Sequence, residues 1–431
     1  MHFEEWRTKM PLKESKQIRS RGVGKREKKL RHILHLIHSG FNVSRLDLAR
    51  MAGVSPASIT AIAQRLIKAG LVVEAEGGSS ALGRKPVPLE IRADAAHLIG
   101  LDIGTFYMRV AITDINGIIL FTDQTESDLP AGRDRVLEMA VRFVRKAISD
   151  SGLPKHTIKG IGIAHSSIID TRSGIILFFP RPGHMAEWKN FPLQSLFEKE
   201  FGVPCLLEDS VRASATAEQR FGLGKGQKDF LYIDVGMGVG AALFFDGKLY
   251  RGPGGKSGEF GHFTSDENGP LCSCGNNGCL ETMASCAAII RAARAAMECG
   301  VDSKILDLAG GNLDSVSIEA IARAAALNDS LAFRVLQVAG SHLAIGLADL
   351  INLLNPSLII FGGALFRAVP ELLSDPIWRI IKQRSIELSA NDVKLQVSPL
   401  GSDATALGAA RLIAERILDG ILVSSLQPTS Q

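Results

Sequence analysis

Four side chains stand out by type and spacing. Cys272, Cys274 and Cys279 form a C-x-C-x4-C run, and His262 stands ten residues ahead of it. Thiolate sulfur and imidazole nitrogen are ligands that zinc takes four at a time, tetrahedrally. Gly269-Pro270 and Gly275-Asn276-Asn277-Gly278 supply the bends such a loop needs. No fifth group leaves a ligand position for water, so the expected site is closed and structural. The alternative is a loose cluster of reduced thiols. Cys205, Cys286 and Cys299 fit no ligand spacing and read as buried thiols. Six cysteines in 431 residues are too few for a disulfide scaffold.

Glycine-rich turns are the second chemical signal. Asp234-Val235-Gly236-Met237-Gly238-Val239-Gly240 falls between two apolar runs. Turns of this kind free backbone N–H groups to cradle phosphate, although glycines also allow strands to approach closely. Asn355 to Ala364 reads as a buried strand ending in glycines, a second ligand edge.

The elements that must carry these groups are strands and helices in alternation. Leu98–Gly104, Met108–Thr113 and Ile118–Thr122 read as strands, with a turn at Asp114-Ile115-Asn116-Gly117. A helix near Arg133–Ser149 and a strand at Ile158–Ile163 follow. Phe230–Ile233, Gly240–Phe245 and Lys248–Arg251 begin a second strand set. The expectation is a mixed α/β sheet, occurring twice.

The first 95 residues differ from this body. They hold 18 Lys and Arg against 9 Asp and Glu, a balance of +9 inside a chain whose total is +4. The remainder is therefore mildly acidic, at −5. A basic segment on an acidic body suggests a nucleic-acid module. Residues 1–24 read as a basic arm. Leu30, Ile33, Leu34 and Ile37 follow helical spacing from about Lys25 to His38. Ser44 can cap a second helix with Leu46, Ala49 and Ala52 inward, closed by Gly53. Ser55 can cap a third, with Pro56 at its first position and Ile59, Ile62, Ala63, Leu66 and Ile67 inward.

The short Gly53-Val54-Ser55 turn is helix-turn-helix spacing. The third helix then presents Ala57, Ser58, Thr60, Ala61, Gln64, Arg65 and Lys68 outward. Ser58 and Thr60 can meet base edges or phosphates, Gln64 can bond adenine, and Arg65 suits phosphate. Leu71–Glu74 and Pro86–Ile91 read as a two-stranded wing around a Gly/Ser-rich turn. Arg84 and Lys85 at its edge suit an A·T-rich minor groove, the plainer reading being a solvated turn.

Composition agrees with a folded enzyme-sized chain. Apolar residues make 46% and charged residues 22%, which excludes a disordered or collagenous chain. About 150 residues per domain implies two or three domains. No run approaches the 18 or so uninterrupted apolar residues of a membrane span. The charged N-terminus lacks the apolar core of a signal peptide, so a cytoplasmic address is expected.

Gly255 to His262, with Glu259-Phe260-Gly261-His262, and Cys272-Ser273-Cys274-Gly275-Asn276-Asn277-Gly278-Cys279-Leu280-Glu281 together resemble the G-E-x-G-H and C-x-C-G-x-x-G-C-L-E signatures of the ROK family of repressors and sugar kinases. The resemblance spans nearly all of the chain after the arm, and the layout is that of the repressor branch. It implies an α/β fold: an N-terminal winged helix-turn-helix (25–95) followed by an actin-like, hexokinase-like body of two lobes (96–425) with a structural zinc loop. It also implies that Glu259, His262 and Glu281 bond sugar hydroxyls, with His262 offering one ring nitrogen to zinc and the other to sugar.

The family's kinases carry E-N-D-x-N, whose Asp is the general base. Here the run is Glu208-Asp209-Ser210-Val211-Arg212. Ser210 stands at the base position and cannot take that proton near neutral pH. Asp209 replaces the Asn and remains an effector-side candidate. The kinases' D-x-G-G-T is here Asp102-Ile103-Gly104-Thr105-Phe106, with bulk where phosphate would lie. Ser166-Ser167 replace a Pro-Gly turn, and Arg181 falls near a sugar-binding Asn. If Arg181 and Arg212 both line the cleft, an anionic sugar is favoured.

The expected function is a non-enzymatic, DNA-binding regulator that senses a sugar. It would act as a homodimer, with pairing into tetramers left open, on a palindromic double-stranded operator, with no membrane partner. Sugar binding would close the lobes and change the spacing of the DNA-binding heads. The alternatives are an active ATP-dependent kinase with a DNA module, and a regulator governed by a protein partner.

Overall fold

A computed structural model describes residues 25–39, 43–75, 87–179 and 187–426. The chain divides into two compact units, with the change between Glu90 and Ile91.

The first unit holds α1 (Lys25–Ser39), β1 (Val43–Ser44), α2 (Arg45–Ala52), α3 (Pro56–Lys68), β2 (Val72–Glu74) and β3 (Pro88–Ile91). Local chemistry sets its boundaries. Ser44 and Asp47 form a reciprocal capping box at the start of α2, and Gly53 ends it in the left-handed region at φ 60°. Ser55 caps α3 and Pro56 opens it, where no backbone N–H is needed. Leu30, Ile33, Leu34, Leu48, Ile59, Ala63 and Leu66 are buried between the helices.

Two details differ from the sequence reading. Leu46 points outward and Leu48 is the buried leucine of α2. In a helix of eight residues two neighbouring stripes are almost equally apolar, and packing against α1 and α3 selects between them. The wing strands also gain a third member, because β1 pairs antiparallel with β3 and the order is β1-β3-β2. Arg84 and Lys85 lie outside the described residues.

The second unit contains two five-stranded sheets. The first is built from β4 (His97–Ile103), β5 (Tyr107–Asp114), β6 (Ile119–Glu126), β7 (Ile158–His165) and β10 (Cys205–Asp209), in the order β10-β7-β4-β5-β6. A small hairpin of β8 (Ile168–Asp170) and β9 (Ile175–Phe178) stands beside it, with α4 (Arg133–Asp150) and α5 (Leu193–Phe201) over one face. α6 (Ser210–Phe221) leads to the second sheet. That sheet has β11 (Phe230–Val235), β12 (Val239–Phe245), β13 (Lys248–Tyr250), β14 (Leu358–Gly362) and β15 (Lys394–Val397), in the order β13-β12-β11-β14-β15.

Each central strand, β4 or β11, has an antiparallel pair on one side and a parallel pair on the other. The two sheets thus repeat one connectivity, as the repeated strand pattern predicts. Between β13 and β14 run α7 (Leu280–Ala284), α8 (Cys286–Glu298), α9 (Lys304–Leu308), α10 (Ile318–Ala326) and α11 (Ser330–Leu354). After β14 come α12 (Gly363–Ala368), α13 (Pro370–Arg384) and α14 (Glu387–Asp392), and α15 (Ala404–Leu426) follows β15.

Among the described residues α11 is long and apolar enough to cross a membrane by length and composition. Its apolar surface is used inside the protein: Leu336, Leu343, Leu347 and Ile351 belong to the core of the second lobe.

α15 sits against the first sheet and against α6 at very short range. A Cβ on Gly408 would lie 1.7 Å from the carbonyl oxygen of Ala213 in α6, and one on Gly162 would lie 1.9 Å from that of Ala409. Both obstacles are backbone and cannot swing aside. Gly408→Ala is therefore expected to destabilise the protein by about 1–3 kcal/mol through overpacking. A urea-unfolding midpoint indistinguishable from wild type would show that α15 is not held this closely.

Candidate functional site

His262 ends a short 3-10 turn, Phe260–His262, and Cys279 is the residue before α7. The loop between them folds back so that Thr264 bridges Cys279 and Leu271 bridges Asn277. Gly278, at φ 61°, has no room for a side chain, since a Cβ would lie 1.5 Å from the Asp266 carbonyl oxygen. The result brings one ligand atom from each of His262, Cys272, Cys274 and Cys279 within 4.8 Å of the others. His262 Nδ1 is 3.6 Å from Cys272 Sγ, and Cys274 Sγ is 3.6 Å from Cys279 Sγ. Tetrahedral zinc–thiolate bonds place sulfurs roughly 3.7 Å apart. Asn276 Nδ2 donates to Thr264 Oγ1 at 2.8 Å and to Cys279 Sγ at 3.5 Å, which locks the loop from behind. The cluster can hold a metal ion. The bends that achieve this are the glycines singled out in the sequence.

Beside this loop a cleft of about 1140 Å³ runs between the two sheets. Asp209, Glu259, His262 and Glu281 all line it, so the four effector-side candidates share one space. Glu281 Oε2 accepts the Val239 N–H at 3.0 Å, which ties α7 to the glycine-rich turn before β12. Burial raises the pKa of Glu259, with Arg212 opposing and Glu281 adding to the shift. Asp209 caps α6: its Oδ1 accepts the N–H groups of Val211 and Arg212, each at 3.0 Å. Burial nevertheless pushes its carboxyl up to about 7, against the opposing charge of Arg212. Ser210 and Ser166 bond to each other through their hydroxyls at 2.8 Å.

The glycine-rich turns also open on the cleft. Gly104 N donates to Tyr107 O at 3.1 Å, so the turn after β4 closes on itself and leaves Phe106 exposed at its tip. Gly236 N donates to Gly238 O at 2.9 Å, and the Cys286 N–H at the start of α8 donates to Gly236 O at 2.8 Å. Asp102 and Asp234 lie near one another at the ends of β4 and β11. Burial raises both carboxyls, Asp102 to about 7, while Arg109 and Arg367 oppose the shift at Asp102 and Arg367 opposes it at Asp234.

Arg212 lines the cleft. It is buried, its Nη1 donates to Gly255 O at 2.8 Å, and its Nε lies 3.5 Å from Glu208. The other proposed anion contact, Arg181, lies outside the described residues. Nine carboxyl side chains and five arginines line the cleft. Glu208 and Arg251, which bond to each other, were missed in sequence; 43 positions separate them and no local motif links them.

In the first unit Ser55 Oγ accepts the Ser58 N–H at 3.4 Å and donates to Ser58 Oγ at 3.0 Å. Thr60 Oγ1 donates to Pro56 O at 2.9 Å, leaving its lone pairs free to accept. Thr60, Gln64, Arg65 and Lys68 are exposed and Ser58 is half-buried, on the side of α3 opposite Ile59, Ala63 and Leu66.

The ROK family profile matches residues 98–416. The chain belongs to the ROK family. Over 377 residues this ROK protein is 30% identical to the xylose repressor of Caldicellulosiruptor bescii, covering 87% of this chain and 92% of that one. It is 29% identical over 395 residues to the DNA-binding transcriptional dual regulator NagC of Escherichia coli K12, covering 91% and 94%. Among solved structures, a ROK family transcriptional regulator homologous to the E. coli MLC protein superposes with a TM-score of 0.74 at 29% identity, over 92% of this chain and 97% of that one. A ROK glucokinase from Streptomyces griseus, in complex with glucose and AMPPNP, superposes at 0.64 with 30% identity, over 74% and 99%. The two-lobed body thus has the actin-like, hexokinase-like ROK fold, and about a quarter of this chain has no counterpart in the glucokinase.

The raised carboxyl of Asp102 has a consequence for pH. Between about pH 4 and 7 the folded chain keeps a proton on Asp102 that the unfolded chain has released, so the stability from this group falls as pH rises through about 7. Asp102→Asn removes that dependence. Its Tm is expected to decline less steeply than the wild type's between pH 4 and 7; parallel curves would exclude a protonated Asp102.

Proposed function

We propose that this ROK protein is a DNA-binding transcriptional repressor of carbohydrate metabolism that senses a sugar in the cleft between its lobes and has no kinase activity. One observation carries the reading. The cleft unites Glu259, His262 and Glu281, while the base position holds Ser210, bonded to Ser166. Carboxyl and imidazole groups accept and donate the hydrogen bonds that vicinal hydroxyls require. A serine hydroxyl supplies no base near neutral pH, and phosphoryl transfer depends on charge and positioning that the Thr105-Phe106 turn does not offer.

The first unit supplies the DNA-binding side as a winged helix-turn-helix. α3 is the recognition helix, with Ser55, Ser58, Thr60 and Gln64 toward the bases and Arg65 toward phosphate. Arg84 and Lys85 would enter the minor groove from the wing. A homodimer presents two such heads, so a palindromic operator follows from the symmetry. Such a protein works in the cytoplasm, where the DNA is. The names of the relatives, a xylose repressor and the regulator NagC, support this division of labour.

Zinc fits the Cys3His cluster, with His262, Cys272, Cys274 and Cys279 as ligands and no position left for water. Bound there, it would cross-link the loop and supply rigidity, not chemistry. His262 also lines the cleft, so the loop that holds the metal sets the wall that meets the sugar.

The test is a thermal-melt panel on the full chain with xylose, glucose, N-acetylglucosamine and their phosphates, with and without ATP, beside Glu281→Ala. Ligand at about 100 times its Kd stabilises the folded form by roughly 2.7 kcal/mol, a shift of a few degrees. A shift with a neutral sugar that Glu281→Ala abolishes is expected. Hexose phosphorylation that survives Ser210→Ala and fails in Asp209→Asn would establish a kinase instead. No shift with any sugar, with operator binding intact, would point to control by a protein partner.

For the head, Gln64→Ala is expected to weaken binding to the operator by roughly 1–3 kcal/mol with little effect on random DNA. Equal losses on both DNAs in a fluorescence-anisotropy titration would remove α3 from base recognition. For the loop, Cys274→Ser is expected to abolish stoichiometric zinc by elemental analysis and to lower Tm; full zinc content in that variant would exclude the Cys3His ligand set.

A further inference from the structure

β10 is an edge strand of the first sheet and β13 an edge strand of the second. Glu208 lies at the end of β10, and Arg251 follows β13 directly. Arg251 Nε and Nη2 both donate to Glu208 Oε2, at 3.0 and 2.7 Å. The other carboxylate oxygen, Oε1, accepts the Asp209 N–H at 3.1 Å and has Arg212 Nε at 3.5 Å. Glu208 is 1% exposed, so this carboxylate is buried entirely among partners from both lobes. Arg212 continues the connection, donating from Nη1 to Gly255 O at 2.8 Å.

These contacts hold one loop. Residues 251–259 leave β13 and end at Glu259. Arg251 fixes the start, Gly255 O is held at the middle, and Gly258 O accepts the Ala241 N–H at 2.9 Å at the far end. Inside the loop Ser257 N donates to Arg251 O at 3.1 Å, and Ser257 Oγ to Tyr250 O at 2.6 Å. Two of the three outside anchors are therefore arginine contacts that cross between the lobes or lead to Glu208.

We infer that Glu208, Arg212 and Arg251 form a clasp between the lobes that positions the 251–259 loop, and with it Glu259, for ligand binding. Glu208 and Arg251 are positioning residues: their effect on affinity comes from holding Glu259 in place before the ligand arrives, which lowers the ordering cost of binding. The part concerning affinity rests on the sugar-sensing reading above. The clasp itself stands on the contacts alone.

Arg251 is the residue to change, because its side chain is 36% exposed and Glu208 keeps Arg212 when it is shortened. Hydrogen exchange would be followed by mass spectrometry in the full-length wild type, Arg251→Lys and Arg251→Ala. Amides of residues 252–259 are expected to exchange at least about ten-fold faster in Arg251→Ala, with β11 and α11 unchanged and Arg251→Lys between. Unchanged loop exchange, or an equal rise across both sheets, overturns the clasp.

Calorimetry with xylose and with N-acetylglucosamine forms the second arm. Where either sugar binds the wild type, Arg251→Ala is expected to weaken it at least about five-fold, with partial recovery in Arg251→Lys. Unchanged affinity beside a loosened loop overturns the positioning role. Where neither sugar binds the wild type, the sensing reading fails with these sugars, and exchange alone decides the clasp.

Discussion

The cleft hangs from the contact between α6 and α15. Those two helices approach so closely that Gly408 faces the Ala213 carbonyl with no room for a methyl group, and Ser214 Oγ and Thr405 Oγ1 bond across the same seam at 2.8 Å. α15 covers the first sheet through small residues at Gly100 and Gly162, and α6 reaches the second sheet, where Val211 fills the space over Gly240. The pair is thus a thin common layer between two sheets. Small side chains are required on both helices because any thickening would drive the sheets apart. The first turn of α6 then falls at the cleft, which is why Asp209, Ser210 and Arg212 are where a ligand would meet them.

This layer also explains which parts of the molecule could be read from sequence. The Ser44 helix cap, the Ser55–Pro56 helix start and the C-x-C-x4-C run are each complete within ten residues or fewer. Backbone geometry over that span follows from the residues themselves, and these features stand where their spacing puts them. The repeated strand pattern was legible for the same reason, since apolar runs of strand length need no knowledge of their partners. Leu46 was misplaced because a two-turn helix offers two stripes, and only the packed neighbours distinguish them. Strand β1 was invisible because two residues carry no periodicity. The Glu208–Arg251 pair lay beyond reach because it exists only once β10 and β13 have been brought to the same margin by two separate sheets.

Arg212 lines the cleft and already has partners inside the fold. Its place beside the cleft followed from its position after the Glu208-Asp209-Ser210 run. The expectation that it would attract an anion assumed a guanidinium without other obligations. In the fold it is buried against Glu208 and the Gly255 carbonyl. A buried carboxylate such as Glu208 must be paired, and it draws on both Arg251 and Arg212. Charge in a sequence is countable, but charge available to a ligand is what remains after the interior has been neutralised.

The same accounting bears on what the cleft can hold. Desolvation in the cleft raises the carboxyls of Asp102, Asp209, Asp234 and Glu259. A protonated carboxyl donates one hydrogen bond and an ionised one only accepts, so Asp102 and Asp209, pushed up to about 7, can meet hydroxyls in either sense. A neutral polyol is suited to such a wall, because each hydroxyl also donates and accepts. On the proposed reading, the carboxyls of this wall and the Ser210–Ser166 hydroxyl pair meet the hydroxyls of a sugar.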